Sequence, residues 1–431
     1  MKLFANKKTK WFPLDNAAKI YPPTASATRP HVFSFSALLE EEVCPEILET
    51  AVTNVLNHYD TFKTSMKRGA FWYYLEDNKK PFKVSEEKPY YLKPIDYSKN
   101  NGYLLEFLYV RNKITAKFFH ALTDGSGGFK FFSEVLIEYL RLSGHDLDLE
   151  EKIKPIEEPS TSSSADDSFF TYENATKVKT EKIPKPFSIQ GTPFEYDGCG
   201  LTTCEVELES LKTEAGKYNA SVAAYLAAVY AFAIRDAFIK NKPYGNKIVT
   251  VLVPCDLRRK YGGKTMRNFT MFARVIIDWT KKDYSFAECV EIASKQIAMG
   301  LTKEKLDKLI HDNVKTEKNF FIKIVPLFLK DLIMRAIYSR IGETLQTVNF
   351  SNIGKANLPN GVEKYVKKIT FCIAPTFSCG HQTGVVGFND KVFITFARNY
   401  VETGIEKSFV RQLTASGIQT KVYGNYWESQ S

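Results

Sequence analysis

The feature that most constrains this chain is a break in its middle. From Glu150 to about Gly200 aliphatic residues thin out, the run EEPSTSSSADDS is polar, and Pro184, Pro186 and Pro193 follow. A stretch without helical or strand period offers no apolar face to bury, so it reads as an exposed crossover. The chain has 431 residues, more than one small core accommodates. Residues 1–150 and 201–431 are therefore the expected folding units, with 151–200 joining them. At 44% hydrophobic and 14% aromatic, both halves have material for a well-packed core.

Each half mixes helical and strand patterns. Between Val43 and Tyr59 the residues Ile47, Leu48, Ala51, Val52, Val55, Leu56 and Tyr59 recur at helical spacing. AFWYYLEDN is β-prone, and Tyr103–Val110 with Lys113–Phe119 reads as a strand pair turning at Arg111 and Asn112. Phe129, Phe132, Val135, Leu136, Tyr139 and Leu140 mark one face of a helix that Gly144 ends. The second half opens with a strand at Leu201–Leu208, then an Ala-rich helix over Ser221–Phe238 and a buried strand in KIVTVLVPCDLRR. Two further strand-like runs flank Asn389-Asp390, a hairpin signal. The expected fold class is α+β, two subdomains in tandem, with no repeat of 20–50 residues.

The net charge of +10 suggests an anionic partner, such as nucleic acid, a membrane surface or a phosphorylated cofactor, although a solvated basic surface accounts for most of it. The lysines are scattered and form no dense basic block or known nucleic-acid motif, so no nucleic-acid partner is expected. Seven cysteines make no CxxC pair and no Cys/His cluster, which argues against disulfides and zinc. The N-terminal MKLFANKKTKWFPLDNAAKIYPP has no apolar core of a secretory signal, and a cytoplasmic, monomeric enzyme is expected. Phe320–Tyr338 is long enough to span a membrane, but Lys323, Lys330, Asp331 and Arg335 interrupt it and Pro326 would kink it. A buried or amphipathic helix is expected there, with peripheral membrane contact the lesser alternative.

The most chemically suggestive stretch is ITAKFFHALTDGSGG, residues 114–128. It places His120, one of six histidines, at the end of a strand against a glycine-containing loop. An imidazole of pKa about 6.5 suits proton transfer near neutrality. Asp124 could orient that loop through an arginine, or simply cap the following helix, and His120 could be a satisfied core histidine. Spacing leaves both readings open, and a His-x3-Asp pair without a third ligand does not make a metal site.

FFHALTDGSGG resembles the H-x-x-x-D-G loop of the chloramphenicol-acetyltransferase-like acyltransferase superfamily. That superfamily includes plant BAHD acyltransferases, nonribosomal peptide condensation domains, wax ester synthases and alcohol acetyltransferases. The nearest likeness is to bacterial alcohol acetyltransferase-like proteins. NHYDTFKTSMKRGAFWYYLEDN before the motif, and VPCDLRRKYGGKTMRNF and NFSNIG after it, are similar to family segments in the family's order, from about Trp11 to Tyr426. One departure is Phe119, which stands where condensation domains carry the first of two histidines.

The resemblance implies two similar two-layer subdomains with an active-site tunnel between them. It implies acyl-CoA, acetyl-CoA above all, as co-substrate, with no permanently bound cofactor and no metal. His120 would be the general base acting on a small-molecule alcohol or amine acceptor. Asp124 would be structural, paired with Arg258, or with Arg259 or Arg267, and Gly125 would permit the turn. Ser351 and Asn352 would serve the oxyanion, although Ser-Asn-Ile-Gly is also an ordinary turn. Asn268 would hold the DLRR loop, and His381 is either a second approach to the site or a loop histidine. The competing readings are carrier-protein-dependent condensation and a non-catalytic acyltransferase-like binding protein.

Overall fold

The computed structural model describes residues 10–89, 92–147, 165–174, 183–194, 198–241 and 244–425. Much of the expected crossover therefore lies outside the described residues.

Local signals place the elements close to where the sequence puts them. The first long helix is Pro45–Leu56, with proline in the first turn and Leu48, Ala51, Val52, Val55 and Leu56 on its buried stripe. Leu105–Val110 and Lys113–Phe119 form the hairpin, and Arg111 takes a positive φ of 49° to turn it. The helix Gly125–Leu142 starts on Asp124, whose side chain accepts from the Gly127 N–H, and Gly144 follows it at φ 84°. In the second half, Ser221 caps the helix Val222–Ile234, which is apolar on every side and buried. The wider run Val222–Ile239 is apolar and long enough to cross a membrane, but it packs in the core against the helices Phe286–Gly300 and Gly404–Ala415. The expected second hairpin joins His381–Phe388 to Lys391–Arg398, with Asn389 at φ 53°.

Among the described residues the strands form three sheets. The N-terminal five-stranded sheet runs Val366–Ile373, Val32–Leu39, Lys113–Phe119, Leu105–Val110, Ser85–Glu86. The seven-stranded sheet runs Thr270–Asp278, Ile248–Asp256, Val348–Lys355, His381–Phe388, Lys391–Arg398, Gly200–Glu207, Thr420–Gly424. A small sheet joins Trp11–Pro13, Tyr73–Asp77 and Thr64–Arg68.

One strand crosses the division at 1–150 and 201–431. Val366–Ile373 belongs to the second half by sequence but pairs antiparallel with Val32–Leu39, from Val366 opposite Leu39 to Ile373 opposite Phe33. Phe371 stacks on Phe35 at 4.7 Å, and Val386, Phe388, Phe393 and Ala397 of the large sheet join the same core. The two halves are thus welded by a shared apolar core as well as by the chain. The segment Phe320–Tyr338 is broken at Pro326 into Phe320–Ile324 and Leu327–Ile337, because proline lacks the N–H that a continuous helix would use.

Candidate active site

His120 follows the strand Lys113–Phe119, and its main-chain N–H donates to the His31 carbonyl at 2.9 Å. Its ring is half-buried between Tyr21, stacked at 4.5 Å, and Phe33, edge-on at 5.2 Å. The Nδ1 atom lies 3.0 Å from Oδ1 of Asn268. The Asn268 amide is oriented by its other bonds: its Nδ2 donates to the Asp15 carboxylate and to the His120 carbonyl, both at 3.1 Å. Two acceptors on one side leave Oδ1 facing the imidazole, so Nδ1 carries the proton and Nε2 presents a lone pair. Among the described residues no partner is bonded to Nε2. Burial holds the imidazole below its ordinary pKa, against the pull of Asp124 and Asn268, and keeps it neutral at pH 7.

Asp124 belongs to a different network. Its carboxylate takes two parallel bonds from the Arg258 guanidinium, at 3.0 and 3.1 Å. It also accepts from the N–H groups of Gly127 at 3.0 Å and Phe269 at 2.8 Å, and from the Thr270 hydroxyl at 2.8 Å. Burial pushes its carboxyl up, but the Arg258 charge and these donors outweigh burial and hold it below the usual range. Arg258 in turn donates to the Asp256 carboxylate and to the carbonyls of Thr265 and Arg267. The aspartate is therefore both the helix cap and the anchor of the arginine, and the two readings open from spacing coexist.

The other arginines go elsewhere. Arg267 is buried, pairs with Asp15 at 3.8 Å and donates to the carbonyls of Ala165 and Pro13. Arg259 approaches Gly354, where an added Cβ would stand 3.6 Å from its guanidinium. Gly125 occupies ordinary first-turn backbone, and a Cβ there would meet only Ile353 and Phe371 at van der Waals distance. The glycine demanded by the loop is Gly127, where a Cβ would strike the Met266 carbonyl and the Thr123 hydroxyl. Gly127→Ala is expected to cost about 1–3 kcal/mol by overpacking, read as a lower urea midpoint with unchanged slope, whereas Gly125→Ala should stay within about 1 kcal/mol of the parent.

Ser351 and Asn352 sit on the interior strand Val348–Lys355, opposite Gly384 and Val385. Asn352 Oδ1 accepts from the Gly354 N–H at 2.8 Å, the local turn bond that Ser-Asn-Ile-Gly suggests. Their strand reaches the histidine loop through Ile353, which lies against Gly125. His381 is neither on a loop nor beside His120. It begins a strand fully buried, with Nδ1 2.5 Å from the Tyr230 hydroxyl and Nε2 3.5 Å from Glu406.

Sequence reasoning missed Asp15, Tyr21 and His31, which lie in a segment without a period or motif. His31 has a φ of 47°, uncommon for a non-glycine residue, and its ring meets Tyr21 edge-on at 5.3 Å. Burial and the neighbouring His120 press its pKa down to about 3, so it is neutral. Among the described residues no group of three or more His, Cys, Asp or Glu is placed to hold a metal ion.

No family model and no curated protein sequence matches this chain. Its fold, however, is shared with solved structures. TRI101 of F. sporotrichioides, complexed with coenzyme A and T-2, aligns over 96% of this chain and 99% of its own at a TM-score of 0.58 and 8% identity. TRI3 trichothecene 15-O-acetyltransferase from Fusarium sporotrichioides aligns over 95% of both chains, at 0.54 and 13% identity. The epimerization domain from the third module of tyrocidine synthetase B covers 95% of this chain and 96% of its own, at 0.58 and 12% identity. At such identities the likeness is one of architecture: this chain has the mixed helix-and-sheet, two-lobed fold of chloramphenicol-acetyltransferase-like and condensation-type acyltransferases.

Proposed function

We propose that this protein is an acyl-CoA-dependent O-acyltransferase in which His120 is the general base, working in a tunnel between the halves 1–150 and 201–431. The observation that carries the reading is the Asn268 clamp, which orients a neutral, half-buried imidazole through Nδ1 and leaves its Nε2 without a bonded partner among the described residues. In this reading the acceptor hydroxyl gives its proton to Nε2 as its oxygen attacks the thioester carbonyl. The tetrahedral intermediate then collapses, the C–S bond breaks, and the imidazolium returns the proton to the departing CoA thiolate. No acyl-enzyme forms. Ser351 and Asn352 are the proposed stabilisers of the oxyanion, and the basic surface would attract the phosphates of CoA.

A neighbour of the same fold holds coenzyme A, which favours a CoA donor over a carrier protein. The test is release of free CoA from acetyl-CoA by purified protein over a panel of alcohols and amines. Acylated carrier protein, offered in parallel, separates the condensation reading, suggested by the tyrocidine synthetase neighbour. Binding of acyl-CoA without turnover of any acceptor would instead favour a binding protein.

The depressed pKa of His120 sets the expected pH dependence. The base form is complete at pH 7, so kcat/KM should be flat there and fall only as pH drops through a value below about 6.5. An acid limb above that value would contradict the assignment.

A further inference from the structure

The helix Leu327–Ile337 is amphipathic the wrong way round for a helix facing water. Its buried side carries Lys330 and Asp331, each 4% exposed, with Leu327. Its outer side carries Phe328 at 65% and Leu332 at 59% exposure, with Leu329, Ile333 and Ile337 also exposed and Ile324 just before it.

This orientation is held by specific polar bonds. Lys330 Nζ donates to the Phe71 carbonyl at 2.9 Å and sits 3.7 Å over the Trp72 ring. Asp331 accepts from Arg68 and from the Tyr73 hydroxyl, both at 2.9 Å. Arg335 Nε donates to the Pro23 carbonyl at 2.6 Å. Rolling the helix to hide its apolar side would strip the buried Lys330 and Asp331 of their partners, a heavier loss than the exposure it relieves. The outward apolar side is a property of the fold.

We propose that this face is a docking surface for an anionic lipid membrane. The charges decide the occupant. Between Phe320 and Arg340 the charged residues are Lys323, Lys330, Asp331, Arg335 and Arg340. With Lys330 and Asp331 turned inward, those left exposed are Lys323, Arg335 and Arg340, all cationic. A protein partner or a second copy would favour a polar rim able to pair with both signs, whereas cations bordering exposed Phe and Leu match acyl chains below and anionic headgroups around. The net charge of +10 adds a long-range attraction of the same sign.

The face also adjoins the candidate site. Tyr338, at its end, meets the His31 ring at 5.7 Å, His31 meets Tyr21 at 5.3 Å, and Tyr21 stacks on His120. Docking would set His120 a few rings from the lipid interface, which, on the function proposed above, suits substrates that partition into membranes.

Co-sedimentation of the full chain with phosphatidylcholine–phosphatidylglycerol vesicles and with pure phosphatidylcholine vesicles tests the proposal without reference to activity. Binding to the anionic vesicles is expected, weakening with salt. Combined Phe328→Gln, Leu332→Gln and Ile333→Gln should weaken it by about tenfold or more. Combined Lys323→Glu and Arg340→Glu should do the same for the anionic vesicles alone. Thermal unfolding of each variant guards against misfolding, and the charge pair stands as the test if the apolar triple variant is unstable. Wild-type protein that sediments with neither vesicle would overturn the proposal, as would variants that bind undiminished. A concentration-dependent dimer abolished by the triple variant would assign the face to a second copy instead.

Discussion

Replacing His120 by alanine is expected to lower the rate of CoA release by about 10²–10⁴-fold while the protein stays folded. The expected loss is in kcat, because in the proposed step the imidazole does its work as the acceptor proton moves and contributes little to holding acyl-CoA. The fold should tolerate the change. The main-chain bond from His120 to His31 does not depend on the side chain, and the ring is only half-buried. What is lost is the stack on Tyr21 and the bond that His120 Nδ1–H donates to Asn268, whose Oδ1 is left without its partner at a cost of about 1–3 kcal/mol. Release that persists at the parent rate in the His120→Ala protein would remove His120 from the chemistry. Asn268→Ala should lower kcat less, since the imidazole remains but its tautomer is no longer imposed.

The second large effect is on stability. Asp124→Asn or Arg258→Ala is expected to cost about 3–5 kcal/mol, measured by urea unfolding. The side chains are 2% and 14% exposed, so Arg258→Ala strands the Asp124 carboxylate and Asp124→Asn leaves the Arg258 guanidinium only Asp256 as a charged partner. Asp124 serves five donor atoms at once, on Arg258, Gly127, Phe269 and Thr270, and so ties the histidine loop to the segment after Ile248–Asp256. Removing both partners together should cost less than the sum of the single changes, because neither charge is then left alone. The pH dependence has a defined direction. The folded pKa of Asp124 is depressed, so its contribution is complete above the unfolded value of about 3.9 and is lost as pH falls through the lower folded value. A loss below about 1 kcal/mol for Asp124→Asn would show that the pair behaves as a surface ion pair.

Much of the site's frame was legible because its signals are local. The strand end at His120, the helix beginning after Asp124 and the hairpin turns at Arg111 and Asn389 all follow from period, capping and turn chemistry within a dozen residues. The choice of Arg258 among three arginines rested on resemblance, and the bidentate pair with Asp124 is what the geometry contains. The motif points to Gly125 as the turn glycine, whereas the close approach is at Gly127, set by the Thr123 hydroxyl nearby and by the Met266 carbonyl far away in sequence.

Period, caps and turn residues were enough to say where most strands and helices begin, and they singled out His120 as a candidate for proton chemistry. That Val366–Ile373 completes the first sheet is a matter of long-range pairing, since a strand's pattern names its buried face but not its neighbour. Only the tertiary structure brought Asp15, Tyr21, His31 and Asn268 around His120, and only it turned the charges of Leu327–Ile337 inward and its apolar side out. These are choices of long-range partner, made by packing and buried ion pairs, and a one-dimensional pattern carries no record of them.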